Sequence, residues 1–153
     1  MVRQSPISLE GVQKKDVRTQ FAALCYKVVK DKVKVLLITS RDAGRWIVPK
    51  GWPMDGKTPA ECALIESWEE AGVKGTTDGR CIGIFSYAKD KGTKYELPVV
   101  AMVFAIEVTG TADDYPEASE RERIWVSRKK ASKMVCDHEL ARILRDFDPR
   151  TQQ

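Results

Sequence analysis

The stretch Gly51-Trp-Pro-Met-Asp-Gly56-Lys-Thr-Pro-Ala-Glu61-Cys-Ala-Leu-Ile-Glu66-Ser-Trp-Glu69-Glu70-Ala-Gly72-Val73 sets a glycine-rich turn directly before a segment that carries its own helix start and stop. Thr58 and Glu61 fit a capping box, in which a hydroxyl and a carboxylate each accept a backbone N–H that the first turn leaves unpaired. Pro59 falls at the first helical position, where its missing N–H costs nothing, and Gly72 supplies a left-handed stop. The pattern predicts a helix from Pro59 to Ala71. Residues three and four apart share a helix face, so Glu66, Glu69 and Glu70 project into one small volume, where their repulsion calls for a hard divalent cation. Ala60, Leu64, Trp68 and Ala71 fall on the opposite side, which is expected to pack on a sheet. Three glutamates alone would read as a solvated helix face; the glycine loop in front of them, together with the full register of the stretch described below, makes a cation site the better reading.

Upstream, residues 21–29 and 33–39 are apolar and β-branched and are separated by Lys30-Asp31-Lys32, which reads as a hairpin. Trp46-Ile47-Val48 is a third short strand, and Pro49 keeps Val48 out of helical geometry as the chain enters the loop. Downstream, residues 81–87 and 97–108 are strand candidates joined by a basic turn over 89–94, with Pro98 best placed at a strand start or bulge. Residues 123–127 form the last strand, followed by helices over 128–134 and 137–146.

With 153 residues, 42% of them hydrophobic, the chain can build one core but not two. The expected organisation is a flexible N-terminal arm over 1–16, a single domain over 17–148 and a frayed end over 149–153. Against 22 Asp and Glu stand 26 Lys and Arg, a net charge of +4, too mild to mark a nucleic-acid binder and compatible with a local basic pocket for a phosphorylated ligand. Cys25, Cys62, Cys81 and Cys136 form no CxxC pair and read as buried free thiols of a reducing compartment. No segment reaches the roughly 18 apolar residues of a membrane span, so a soluble cytoplasmic protein is expected. His138, the single histidine, reads as a surface or helix-packing residue. Trp68 and Trp125 fit core positions, and Trp52 is the tryptophan most open to a substrate role.

The Gly51–Val73 stretch resembles the Nudix box, Gly-x5-Glu-x7-Arg-Glu-apolar-x-Glu-Glu-x-Gly-apolar, with Gly51, Glu66, Glu69, Glu70, Gly72 and Val73 in register and without gaps. Arg45-Trp46-Ile47-Val48-Pro49 before it and Glu122-Arg123-Ile124-Trp125-Val126 near the end are similar to the diphosphoinositol polyphosphate phosphohydrolase branch. The resemblance covers about residues 18–147. It departs from the pattern at Lys57, Ile65 and Ser67, which stand in place of a Glu, an Arg and an apolar residue. In that family the Arg orients a helix glutamate, so Ile65 removes a support while leaving the ligands in place. Lys57 either pairs with one glutamate and weakens metal affinity or contacts substrate phosphate.

The resemblance implies an α/β (α+β) Nudix fold, a mixed β-sheet sandwiched between α-helices, and a metal-dependent pyrophosphohydrolase. Its substrates would be phosphorylated small molecules, diphosphoinositol polyphosphates or dinucleoside polyphosphates, with nucleic acid disfavoured and capped RNA kept among the candidates. Magnesium, with manganese as a substitute, would be held by Glu66, Glu70 and the backbone carbonyl of Lys50, with Glu69 as a further ligand or the general base and Glu66 in the catalytic set. Arg18, Ser40, Arg41, Arg45, Lys50, Gly51, Lys57, Lys89 and Lys94 are the candidate substrate contacts, Arg41 and Arg45 favoured by the short constrained segment that leads from them to the box. Lysines in a turn are as often simply solvated, a reading that covers Lys89, Lys91 and Lys94 equally well. The alternative is a weak or inactive Nudix-fold module that binds a phosphorylated metabolite or a protein partner, motivated by Lys57 and Ile65.

Overall fold

The computed structural model describes residues 4–7, 10, 18–89 and 97–151. Among these, the strands are β1 (Thr19–Val29), β2 (Lys32–Thr39), β3 (Trp46–Ile47), β4 (Lys50–Gly51), β5 (Val73–Thr76), β6 (Cys81–Lys89), β7 (Leu97–Thr111) and β8 (Arg123–Ser127). The helices are α1 (Pro59–Ala71), α2 (Arg128–Met134) and α3 (His138–Asp146). The helix expected from the capping signals has those bounds. Thr58 Oγ1 accepts Glu61 N–H at 3.1 Å, Glu61 Oε1 accepts Thr58 N–H at 2.9 Å, and Gly72 ends the helix at φ 66°.

All strands join one mixed sheet in which β1 and β7 run parallel, from Thr19↔Val100 to Tyr26↔Glu107, and every other pairing is antiparallel. The β1–β2 hairpin turns on Lys30 and Asp31, both at positive φ (50° and 64°), the backbone twist that a two-residue connection demands. On its other edge β1 has two partners: Tyr26–Val29 pair with β2, whereas Phe21 and Ala22 pair with Gly51 and Lys50 of β4. That split lets the loop before α1 enter the sheet and fixes its backbone beside the helix.

Alternation along the strands supplies two cores. Phe21, Ala23, Cys25, Leu36, Ile38, Phe104 and Ile106 pack with α1 on one face. Ala22, Leu24, Val33, Val35, Leu37, Ala101 and Val103 pack on the other with Ala131, Leu140, Leu144 and Phe147 of the C-terminal segment. The mixed sheet is thus sandwiched between helices, and burial of each large apolar side chain contributes about 1.5–3 kcal/mol.

Four expectations change. The two-residue β4 and the short β5 carry no periodicity of their own and exist because β1 and β7 offer them an edge. The α1 face against the sheet is only half the expected stripe: Ala60 and Ala71 are buried, Leu64 and Trp68 only partly so, and Ala63, Glu66, Ser67 and Glu70 are buried beside them. Small side chains at 63, 67 and 71 let the helix approach closely, and Ser67 satisfies its hydroxyl on Leu64 O at 2.7 Å, so a polar residue is tolerated there. All four cysteines are unpaired, but Cys81, opening β6, and Cys136, between α2 and α3, are exposed. Finally, Gln4–Ile7, inside the segment read as an arm, is bonded to the domain. Ile7 exchanges backbone hydrogen bonds of 2.7 Å with Lys57 O and Gly56 N, and Gln4 accepts Ala60 N–H at 2.9 Å and donates to Gly79 O at 2.7 Å. Among the described residues no helix is long and apolar enough to cross a membrane.

Candidate metal and phosphate site

Entry of β4 into the sheet sets Gly51 directly under α1. A Cβ at position 51 would fall 2.7 Å from Glu66 Oε2 and closer still to the rest of that carboxyl, so glycine is what gives Glu66 its place. One helical turn on, Glu70 Oε1 accepts Lys50 N–H at 3.3 Å. Glu66 is 8% and Glu70 6% exposed, and the two carboxyls hydrogen-bond each other. Burial, that hydrogen bond and the charges of Glu70, Glu69 and Glu117 push the Glu66 carboxyl up to about 9. Burial also raises Glu70, while the Glu66 hydrogen bond, the Arg121 charge and the Lys50 N–H act the other way. Two buried carboxyls this close retain a proton between them unless a cation takes its place.

The segment 112–123 brings two residues that the sequence reading missed. It is bonded along the C-terminal turn of α1: Ala112 N–H donates to Gly72 O at 2.8 Å, Glu117 N–H to Glu69 O at 3.0 Å, and Arg123 Nη1 to Ala71 O at 2.7 Å. Glu117 thereby adds a fourth carboxylate whose charge reaches Glu66 and Glu70. Arg121, its side chain 7% exposed, donates from Nε to Glu117 Oε1 at 2.9 Å and from Nη1 to Thr39 O at 3.0 Å, with Nη2 3.8 Å from Glu70 Oε1. A Glu and an Arg four apart in a polar stretch are a weak signal; only the fold carries them to the acid cluster.

The basic candidates are distributed unevenly. Arg41 lies 3.7 Å from Glu117 and 3.4 Å from Glu120, an exposed cation at the rim of the acid cluster. Ser40 builds the turn that leads there: its hydroxyl accepts Arg45 N–H at 3.0 Å and donates to Asp42, whose carboxyl is held low mainly by backbone N–H donors, Ala43 first. Arg45 is exposed in that turn. Lys50 turns its ammonium over the Tyr87 ring, 5.2 Å from the centroid, and the Tyr87 hydroxyl donates to the buried Gln20. Burial, reinforced by the charge of Glu70, pushes Tyr87 up to about 12. Arg18 is exposed just before β1, its carbonyl accepting Val100 N–H at 2.9 Å. Lys57 is exposed at the N-terminal end of α1, where its charge acts on Glu61 and Cys62. Lys89 ends β6, and Lys91 and Lys94 lie outside the described residues.

Of the carboxylates expected to converge, the structure joins Glu66 to Glu70. Glu69 is half-buried and acts on Glu66 through its charge. Among the described residues no group of three or more acidic, histidine or cysteine side chains is placed to hold a metal ion. The donor set nonetheless fits a hard divalent cation: only oxygen ligands, two of them buried, in contact and holding a proton that a cation would displace. A separate open cleft of about 440 Å³, lined by Tyr26, Asp78, Arg80, Glu107 and Phe147 among others, shares no residue with this cluster.

The NUDIX domain profile matches residues 18–147. "Nudix hydrolase 12, mitochondrial" of Arabidopsis thaliana is 32% identical over 120 residues, 76% of this chain and 59% of that protein, so the chain spans less than two thirds of it. "Diphosphoinositol polyphosphate phosphohydrolase 3-alpha" of Mus musculus is 32% identical over 119 residues, 76% of this chain and 68% of that protein. In fold, the chain is similar to a C. elegans Ap4A hydrolase binary complex, with a TM-score of 0.69 at 22% identity over 84% of this chain and 93% of that one.

Proposed function

This chain belongs to the Nudix family of hydrolases, and on that premise we propose that it is a divalent-metal-dependent pyrophosphohydrolase acting on diphosphoinositol polyphosphates or dinucleoside polyphosphates. The observation that carries the proposal is the buried Glu66–Glu70 pair held over Gly51. Diphosphoinositol polyphosphates come first, because relatives about 30% identical carry that name; the Ap4A likeness adds dinucleoside polyphosphates at the level of fold.

Glu66, Glu70 and the backbone carbonyl of Lys50 would hold Mg2+, with Mn2+ as a substitute, and Glu69 is a further ligand or the base. When bound, the cation supplies charge neutralisation for the phosphoanhydride oxygens and the leaving phosphate. The chain's own residues do the rest. Glu69, at the half-exposed edge of the cluster, would in its role as base accept the proton of the attacking water. Arg41 and Arg45, on the turn that Ser40 braces, meet the outer phosphates, and Lys50 presents its ammonium from the Tyr87 ring. A polyanionic substrate suits cations beside an acidic centre better than a neutral one does. Cytoplasmic residence is part of this reading, supported by four unpaired cysteines.

The test is Mg2+- and Mn2+-stimulated phosphate release from a panel of inositol pyrophosphates, diadenosine polyphosphates, nucleoside diphosphate sugars and capped RNA. Wild-type turnover with Glu70→Gln inactive is the expected result. Unchanged turnover in Glu70→Gln removes this site from the mechanism, and binding without turnover of any substrate favours the binding module.

A further inference from the structure

The helix that carries the acid cluster has no cation of its own: Pro59–Ala71 reads PAECALIESWEEA, with acids at 61, 66, 69 and 70 and neither Lys nor Arg. Compensation comes from outside it. Arg121 is buried on the far side of the cluster with each limb of its guanidinium committed: Nε to Glu117, Nη1 to Thr39 O and Nη2 toward Glu70. Its anchorage is rigid. Thr39 ends β2, and Thr39 and Glu122 exchange hydrogen bonds of 3.0 and 2.9 Å, so the residue after Arg121 is clamped to the sheet. Glu117 is fixed in turn through its N–H on Glu69 O. A planar fork hydrogen-bonded at two points, with its third limb 3.8 Å from Glu70, fixes the direction from which the acids are met, which a flexible ammonium does not.

We propose that Arg121 is a positioning residue of this site: from the loop before β8 its guanidinium orients Glu70 on the helix and Glu117 on the loop as the carboxylates that would meet a bound cation. The role rests on the metal-dependent reading above, and it supplies from a distant segment the support that Ile65 does not give. Arg121 touches no reacting atom and acts through the two carboxylates.

The experiment measures Mn2+ binding by electron paramagnetic resonance on the substrate-free full chain, with thermal melting alongside, for wild type, Arg121→Lys and Arg121→Met. Arg121→Lys keeps the charge and loses the fork. It is expected to weaken Mn2+ binding about tenfold or more while melting like wild type, and to lower kcat without raising KM on whichever substrate the panel identifies. Should Arg121→Met unfold, the lysine variant alone decides. Wild-type Mn2+ affinity in Arg121→Lys overturns the positioning role and leaves the metal site standing. Failure of the wild-type chain to bind Mn2+ overturns both readings.

Discussion

The Glu66 carboxyl occupies the space that a side chain at Gly51 would fill, with its Oε2 2.7 Å from where a Cβ would stand. The loop glycine and the helix glutamate, fifteen positions apart, are therefore one device: the absence of a side chain on β4 creates the seat for an acid on α1.

Gly51→Ala is expected to separate function from stability. The added methyl meets the far end of a flexible side chain rather than backbone, so Glu66 can swing aside at small cost to the fold while leaving its position over β4. Metal-stimulated turnover should fall at least about tenfold, the scale set by misplaced ligands, with a melting temperature near wild type. Retained activity in a folded Gly51→Ala protein would show that the seat is unimportant.

The pH dependence of stability should change with metal. Glu66 is raised from the ordinary glutamate value of 4.5 to about 9, so the folded chain binds this proton more tightly than the unfolded chain. That stabilisation is complete below the ordinary value and is lost as pH climbs toward about 9. In chelator, melting temperature should decline across this window. Saturating Mg2+ favours the deprotonated pair and should flatten or reverse the decline. Identical profiles with and without Mg2+ would remove the metal from this pair.

Thr58→Ala removes one half of the capping box and leaves the Glu61 N–H without its partner. Urea unfolding should register a loss of about 1 kcal/mol, the usual scale for an N-cap hydroxyl. A change within error would mean that the contacts of Gln4 and Ile7 suffice to hold the start of α1.

Thiol chemistry should divide the cysteines two and two. Cys81 and Cys136 are exposed, whereas Cys25 is fully buried, with burial pushing its thiol up to about 12, and Cys62 is buried and raised for the same reason. An aromatic disulfide reagent is expected to titrate two thiols rapidly in the native protein and all four in denaturant. Four fast thiols under native conditions would contradict the packing of α1 on β1.

Much of the fold was legible because the punctuation of α1 is local. Thr58, Pro59, Glu61 and Gly72 act within a few residues of one another, and their chemistry specifies the same bounds in sequence and in space. The hairpin turning at Lys30 and Asp31 was readable for a similar reason, since polar residues interrupt two apolar runs. The face of α1 was not. Apolar periodicity favoured Leu64 and Trp68 as the buried side, but close packing on the sheet selects small residues, and the split edge of β1 turns Glu66 and Glu70 inward. The strands β4 and β5 were equally hidden, because two to four residues carry no pattern and are ordered by the edges they meet.

What the sequence determined by itself is the capped helix, its spacing of glutamates behind a glycine loop, and through that register the family. Short-range hydrogen bonding and helical periodicity suffice for those. What only the tertiary structure decided is which acids touch and what holds them. Glu66 meets Glu70 because β4 leaves room under the helix, and Glu117 and Arg121 join them because the loop before β8 closes on the C-terminal turn of α1. Those contacts join residues up to about fifty positions apart, and no local rule of periodicity or capping encodes a distance of that kind.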